Sequence, residues 1–137
     1  MKKKITFRMM FSAFIICTLL CLTNCSDDDA PTPVFTSEAL EQTTWQAQRT
    51  VYNTKDEIEY KEKSILQFIT DSKGIETVFN EEDEQTWNMD FTYQVDGKII
   101  TFDKIGGTWT VLEYTETHLV MEAYNPDRMV WTLDKKY

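Results

Sequence analysis

The sequence predicts an all-β domain: an antiparallel meander of eight strands that closes into an up-and-down barrel behind a short helical turn. Three observations carry this reading. Apolar and polar residues alternate with a period of two, most clearly over residues 86–95. Turns rich in Gly, Asn, Asp and Pro punctuate the chain at short intervals. No stretch of helical period is long enough to link parallel strands, so antiparallel pairing remains. A meander of this length removes its exposed edges by closing on itself.

The chain opens with Lys2, Lys3, Lys4 and Arg8 and then runs apolar from Met9 to Leu22, interrupted only by Ser12 and Thr18. A basic segment followed by a short apolar one is the pattern of a removable signal. Its length falls below the roughly 20 residues that a bilayer-spanning helix needs. The run ends in Leu22-Thr23-Asn24-Cys25, which resembles a lipobox and implies cleavage before Cys25 and acylation of that cysteine. Cys21 is the rival site, in a less suitable setting. Ser26, Asp27, Asp28 and Asp29 follow at once. They resemble the acidic export signal of Bacteroidota-type lipoproteins, which implies an outer-membrane, lipid-anchored protein facing the cell exterior. The same acids also serve as a solvated tether, because adjacent carboxylates repel and do not pack. The expected organisation is a signal peptide over 1–24, an acidic, Pro-containing tether over 25–35 and a β-domain over 36–137.

The precursor carries 14 basic and 23 acidic residues, a formal charge of −9. Loss of Lys2, Lys3, Lys4 and Arg8 with the signal takes the processed chain to −13. Such a surface repels nucleic-acid phosphates and anionic headgroups, so a polynucleotide partner is excluded and membrane attachment falls to the lipid. Of the three cysteines, Cys17 and Cys21 leave and Cys25 is modified, so the folded part has no disulfide. Stability then rests on an aromatic core.

Within the domain, Thr36 or Ser37 caps a helical turn through Glu38, Ala39 and Leu40. Strands are expected over 45–52, 64–70, 75–80, 86–95, 98–102, 108–114, 118–124 and 128–133. Asp96-Gly97 supplies a two-residue hairpin signal, Gly106-Gly107 precedes the sixth strand, and Asn125-Pro126-Asp127 turns into the last. Trp87, Trp109 and Trp131 recur every 22 residues, which places them on alternate strands running the same way.

From about residue 41 to 136 the chain resembles the small lipocalin-like domains of lipoproteins of this type. The resemblance lies in Trp45 after a helical turn, in Ser64-Ile65-Leu66-Gln67-Phe68, and in Tyr93-Gln94-Val95-Asp96-Gly97-Lys98-Ile99-Ile100-Thr101-Phe102. Gly107-Thr108-Trp109-Thr110-Val111 and Leu119-Val120-Met121-Glu122 complete it. It implies an eight-stranded lipocalin-like barrel whose interior is filled by side chains or holds one small ligand. It also implies an end closed by an Arg stacked on a Trp, for which Arg128 and Trp45 are the expected pair and Arg49 the rival.

Catalytic motifs are missing from the sequence: there is no Gly-x-Ser-x-Gly elbow, no phosphate loop and no reactive cysteine in the processed domain. His118 is the single histidine and has no Cys or His companion for a metal site. Glu81-Glu82-Asp83-Glu84 lacks the ligand spacing and central Gly of a calcium loop. The expectation is a non-catalytic, cofactor-free, monomeric binding protein. Its small apolar or amphipathic ligand would meet Trp87, Phe91, Tyr93, Trp109 and Trp131 at the barrel's open end. The alternative is a filled barrel that binds a protein or glycan through its acidic face, with residues 81–84 and a long loop over 53–61 making the contact.

Replacing Cys25 with Ser is expected to abolish incorporation of labelled fatty acid; retained label would refute the lipidation assignment.

Overall fold

The computed structural model describes residues 32–137; the signal segment, Cys25 and the acids Ser26, Asp27, Asp28 and Asp29 lie outside the described residues. One helical turn, α1 (Ser37–Leu40), precedes eight strands. These are β1 (Thr43–Tyr52), β2 (Ile58–Phe68), β3 (Lys73–Phe79), β4 (Gln85–Asp96), β5 (Ile99–Phe102), β6 (Thr108–Tyr114), β7 (His118–Tyr124) and β8 (Arg128–Lys136). Each strand pairs antiparallel with the next, and β8 returns to β1 through a ladder from Thr44↔Lys136 to Val51↔Met129, so the sheet is a closed barrel.

The period-two pattern sets which residues enter the barrel. Trp45 and Ala47 of β1, Leu66 and Phe68 of β2, Phe91 and Tyr93 of β4, and Ile100 and Phe102 of β5 are all buried. Trp109 and Val111 of β6, Leu119, Met121 and Ala123 of β7, and Trp131 and Leu133 of β8 complete the set. Rings pack edge-on or tilted: Phe68 and Tyr93 lie 5.0 Å apart, Phe91 and Phe102 5.3 Å, and Trp109 and Trp131 5.0 Å. These separations suit the opposed charge of ring faces and edges. Gly74 of β3 makes room for this packing. A methyl group there would stand 2.5 Å from the Gln67 carbonyl oxygen and closer still to the Phe91 ring.

One end of the barrel is capped. Thr36 accepts a hydrogen bond from the Ala39 amide at 3.2 Å and so starts α1, whose Leu40 is fully buried. Thr43 donates to the Leu40 carbonyl, Tyr93 donates to the Thr70 carbonyl at 2.7 Å, and Phe35 packs on Tyr114 at 5.2 Å. The β2–β3, β4–β5 and β6–β7 turns surround this cap. The opposite end carries the β1–β2, β3–β4, β5–β6 and β7–β8 turns and is the mouth.

The mouth is slanted. β5 pairs only with Tyr93–Asp96 of β4, while β3 accompanies β4 up to Gln85. The wall made by β1 to β4 therefore stands taller than the wall made by β5 and β6. Ile105, in the turn on the low side, is buried in the core, and the positive φ of Gly106 (+90°) lets that turn lie against the Trp109 ring.

Most strand ends fall within two residues of the sequence reading, and two depart further. β2 begins at Ile58, so the expected loop over 53–61 is a short turn followed by strand, and β8 continues to Lys136. Both extensions carry charges at inward positions, which hid their alternation: Glu62 meets Arg49, and Lys135 lies 6.0 Å from the Trp45 ring centre.

Trp131→Ala is expected to cost about 3–5 kcal/mol of unfolding free energy, read by chemical denaturation. Trp87→Ala, at a half-exposed position, is expected to cost well under half of that. Equal losses would contradict the division between core and mouth described here.

Candidate functional site

The tall wall of the mouth is built by two hairpins of the same design. Val51-Tyr52-Asn53-Thr54-Lys55-Asp56-Glu57 and Val78-Phe79-Asn80-Glu81-Glu82-Asp83-Glu84 share Val, an aromatic, Asn, Asp and Glu at an offset of 27 residues. In the first, the Asn53 side-chain oxygen accepts from the amides of Lys55 at 2.9 Å and Glu57 at 3.1 Å. In the second, Asn80 accepts from Glu82 at 3.0 Å and Glu84 at 2.9 Å. Asp56 and Asp83 take matching positive φ values of 62° and 59°, a conformation that Asp tolerates better than most residues. A register shift follows each turn, between Val51 and Tyr52 and between Val78 and Phe79.

The shared shift puts Tyr60 opposite Val51 and Trp87 opposite Val78. Both aromatics are thus in phase with the barrel interior, yet they stand above the packed core, 51% and 43% exposed. Val51 and Val78 are buried beneath them. The acids of both turns rim the same wall.

Below this rim the interior becomes polar. Arg49 forms an ion pair with Glu62 across β1 and β2 and lies 5.4 Å from the Trp131 ring centre. Both interactions hold the guanidinium in a partly dry setting. Glu76 of β3, between Leu66 on β2 and Met89 on β4, is only 1% exposed. Neither of its carboxyl oxygens has a hydrogen-bond partner, and the indole Nε1 atoms of Trp109 and Trp131 also lack one. Trp45, by contrast, donates to Thr43 at 2.8 Å. Burial raises the Glu76 pKa above the ordinary 4.5, opposed by the Arg49 charge and the neighbouring Ser64 hydroxyl.

The five expected ligand contacts divide into two groups. Phe91, Tyr93, Trp109 and Trp131 come together inside the barrel, each 2% exposed or less, as members of one packed cluster. Trp87 stands apart at the rim, although it shares their inward phase. Two grooves reach this set from the outer wall: one of about 340 Å³, bordered by Ile69, Ile75, Asp90 and Lys104, is lined in part by Phe91, and one of about 310 Å³, bordered by Thr92, Gln94 and Thr101, in part by Tyr93; neither is lined by Trp87, Trp109 or Trp131.

The expected stack of Arg128 on Trp45 is corrected. Antiparallel pairing of β8 with β1 sets the start of β8 against the end of β1, so Arg128 lies at the mouth and Trp45 near the cap. Arg128 instead sits 4.6 Å from the Tyr52 ring centre, donates to Glu122 at 2.7 Å and meets Asp56 at 3.2 Å. The indole stacked by an arginine is Trp131, and the arginine is Arg49. His118 lies at the other end of β7 with its Nδ1 2.7 Å from Asp134.

Sequence reading passed over Tyr60, Glu62 and Glu76. Tyr60 fell within an expected loop, but its match to Trp87 in the repeated hairpin pattern was available. Glu76 shares the inward phase of Val78, and that phase alone marked it as a buried carboxyl.

No protein-family profile matches the chain, and no curated protein matches it significantly.

The raised pKa of Glu76 has a consequence for stability. A carboxyl that holds its proton more tightly when folded stabilises the fold below its unfolded pKa, and this advantage is lost as pH rises through the folded value. Glu76→Gln is therefore expected to raise the melting temperature by a few degrees at pH 7, the gain shrinking towards pH 4. A gain that grows on acidification would contradict this assignment.

Proposed function

We propose that the protein is a lipid-anchored, non-catalytic binding lipoprotein of lipocalin-like type, displayed on the outer face of the outer membrane, which holds a small amphipathic molecule at the barrel mouth. The observation that carries this reading is the pair Tyr60 and Trp87, two aromatics of inward phase left half-exposed above a packed interior. A binding site needs apolar walls and a few converging polar groups. Val51, Val78, Tyr60 and Trp87 supply the first, and Arg49, Glu62 and Glu76 the second. The aromatics of the lower barrel, Trp109 and Trp131 among them, form the floor against which the ligand ends.

The mouth lies opposite the end at which the chain enters the barrel. Of the described residues, α1 lies at the capped end, opposite the mouth. Cys25 supplies the membrane attachment, and Asp27 to Asp29 the export address. A second reading, a filled module that meets a protein or glycan through the acidic turn Glu81-Glu82-Asp83-Glu84, is favoured by the completeness of the lower core.

The test is titration of the full chain with fatty acids, sterols and small aromatic molecules while following tryptophan emission. Saturable change for at least one class, weakened about tenfold or more by Trp87→Ala, is expected. A folded protein that shows no saturable change across the panel would favour the second reading.

A further inference from the structure

We infer that the mouth selects an organic ammonium group carried on an apolar or aromatic body, with Glu76 as its counter-ion. This inference rests on the reading of the mouth as a small-molecule site and adds the chemistry of the ligand.

The charges inside the mouth do not balance. Both arginines of the mouth are neutralised where they stand: Arg49 by Glu62, and Arg128 by Glu122 and Asp56. Glu76 forms no ion pair, and only the neighbouring Ser64 hydroxyl and the charge of Arg49, itself paired with Glu62, favour its ionised form. It is 99% removed from solvent, it points inward from β3, and both of its oxygens lack a hydrogen bond. Leaving a buried polar group unpaired is costly, and more so for a charged one. A fold that retains such a group gains most from a ligand that completes it, and for a carboxylate that ligand is a cationic donor.

Two further features act in the same direction. Tyr60 and Trp87 are half-exposed aromatics at the rim, and aromatic faces attract ammonium and its alkylated forms. The hairpin turns add Glu57, Glu81, Glu82 and Glu84, besides Asp56 and Asp83 which Arg128 and Lys63 engage, and these acids concentrate cations near the entrance. Lys63 is drawn off to Asp83 at 3.1 Å on the outer face. The free indole donors of Trp109 and Trp131 attract acceptors and do not discriminate by charge, so the selection falls to Glu76.

The probe is 2-phenylethylamine, with 2-phenylethanol and phenylacetate as neutral and anionic matches. Each is titrated into the full chain by calorimetry in about 0.5 M salt, where attraction to exposed acids is screened within a few ångströms. The amine is expected to bind one to one and at least tenfold more tightly than the alcohol, with phenylacetate weakest. Glu76→Gln, which keeps the side chain's shape, is expected to abolish the preference for the amine over the alcohol. Trp87→Ala is expected to weaken amine and alcohol alike. Equal affinities for amine and alcohol, or a preference that survives Glu76→Gln, would overturn the ammonium inference while leaving the mouth as the binding site. No saturable binding by any of the three to a folded chain would overturn both.

Discussion

The seam between β1 and β8 is the constraint on which the rest of the molecule depends. Its ladder runs from Thr44↔Lys136 to Val51↔Met129 and joins strands from opposite ends of the domain. Without it the sheet would present two long edges, and its apolar face would have nothing to enclose. Closing so long a loop costs entropy before any contact is made. The compensation comes from a shared interior, where Trp45 of β1 and Trp131 and Leu133 of β8 are fully buried in one cluster with the residues of the intervening strands. With no cysteine in the domain to staple it, this closure and its core take the place of a covalent link.

The core and the mouth meet at a physical boundary inside one barrel. Near the cap, apolar rings fill the lumen and the inward positions repeat with almost no polar interruption. Toward the mouth, the same inward positions become Arg49, Glu62, Ser64 and Glu76. Burial of charge is costly unless each group is paired, and Arg49 and Glu62 meet that condition through each other. Glu76 does not, which makes it the one carboxyl of this interior set whose environment opposes its own ionisation.

Much of the fold was legible because its turns are written in residues with few alternatives. Gly97, Gly106 and Gly107 occupy positive φ, and Thr36 caps α1 as its side chain predicts. Phase assigned Phe91, Tyr93, Trp109 and Trp131 to the interior, where each is buried, and gave Trp87 the same inward phase. Height along the barrel was not legible, because strand tilt and register are properties of pairing rather than of any single segment. Even spacing of Trp87, Trp109 and Trp131 therefore did not give equal depth: the first lies on the tall wall, and the other two reach the floor. The same blindness joined Arg128 to Trp45, residues on neighbouring strands but at opposite ends of the seam. Charged inward positions hid the first part of β2, since Glu62 reads as solvent-facing until Arg49 is placed beside it.

The seam also decides how the domain answers to force. β1 begins and β8 ends at the same pole, so the points where the chain enters and leaves the barrel lie side by side at the capped end. A pull between the start of β1 and the C-terminus loads the rungs in sequence, opening Thr44↔Lys136 first and then each pair behind it. The ladder is peeled like a zipper instead of being sheared as a block. Mechanical weakness is thereby concentrated at the pole where both ends of the barrel chain meet, while the twin hairpins at the far pole carry no load until the seam has parted.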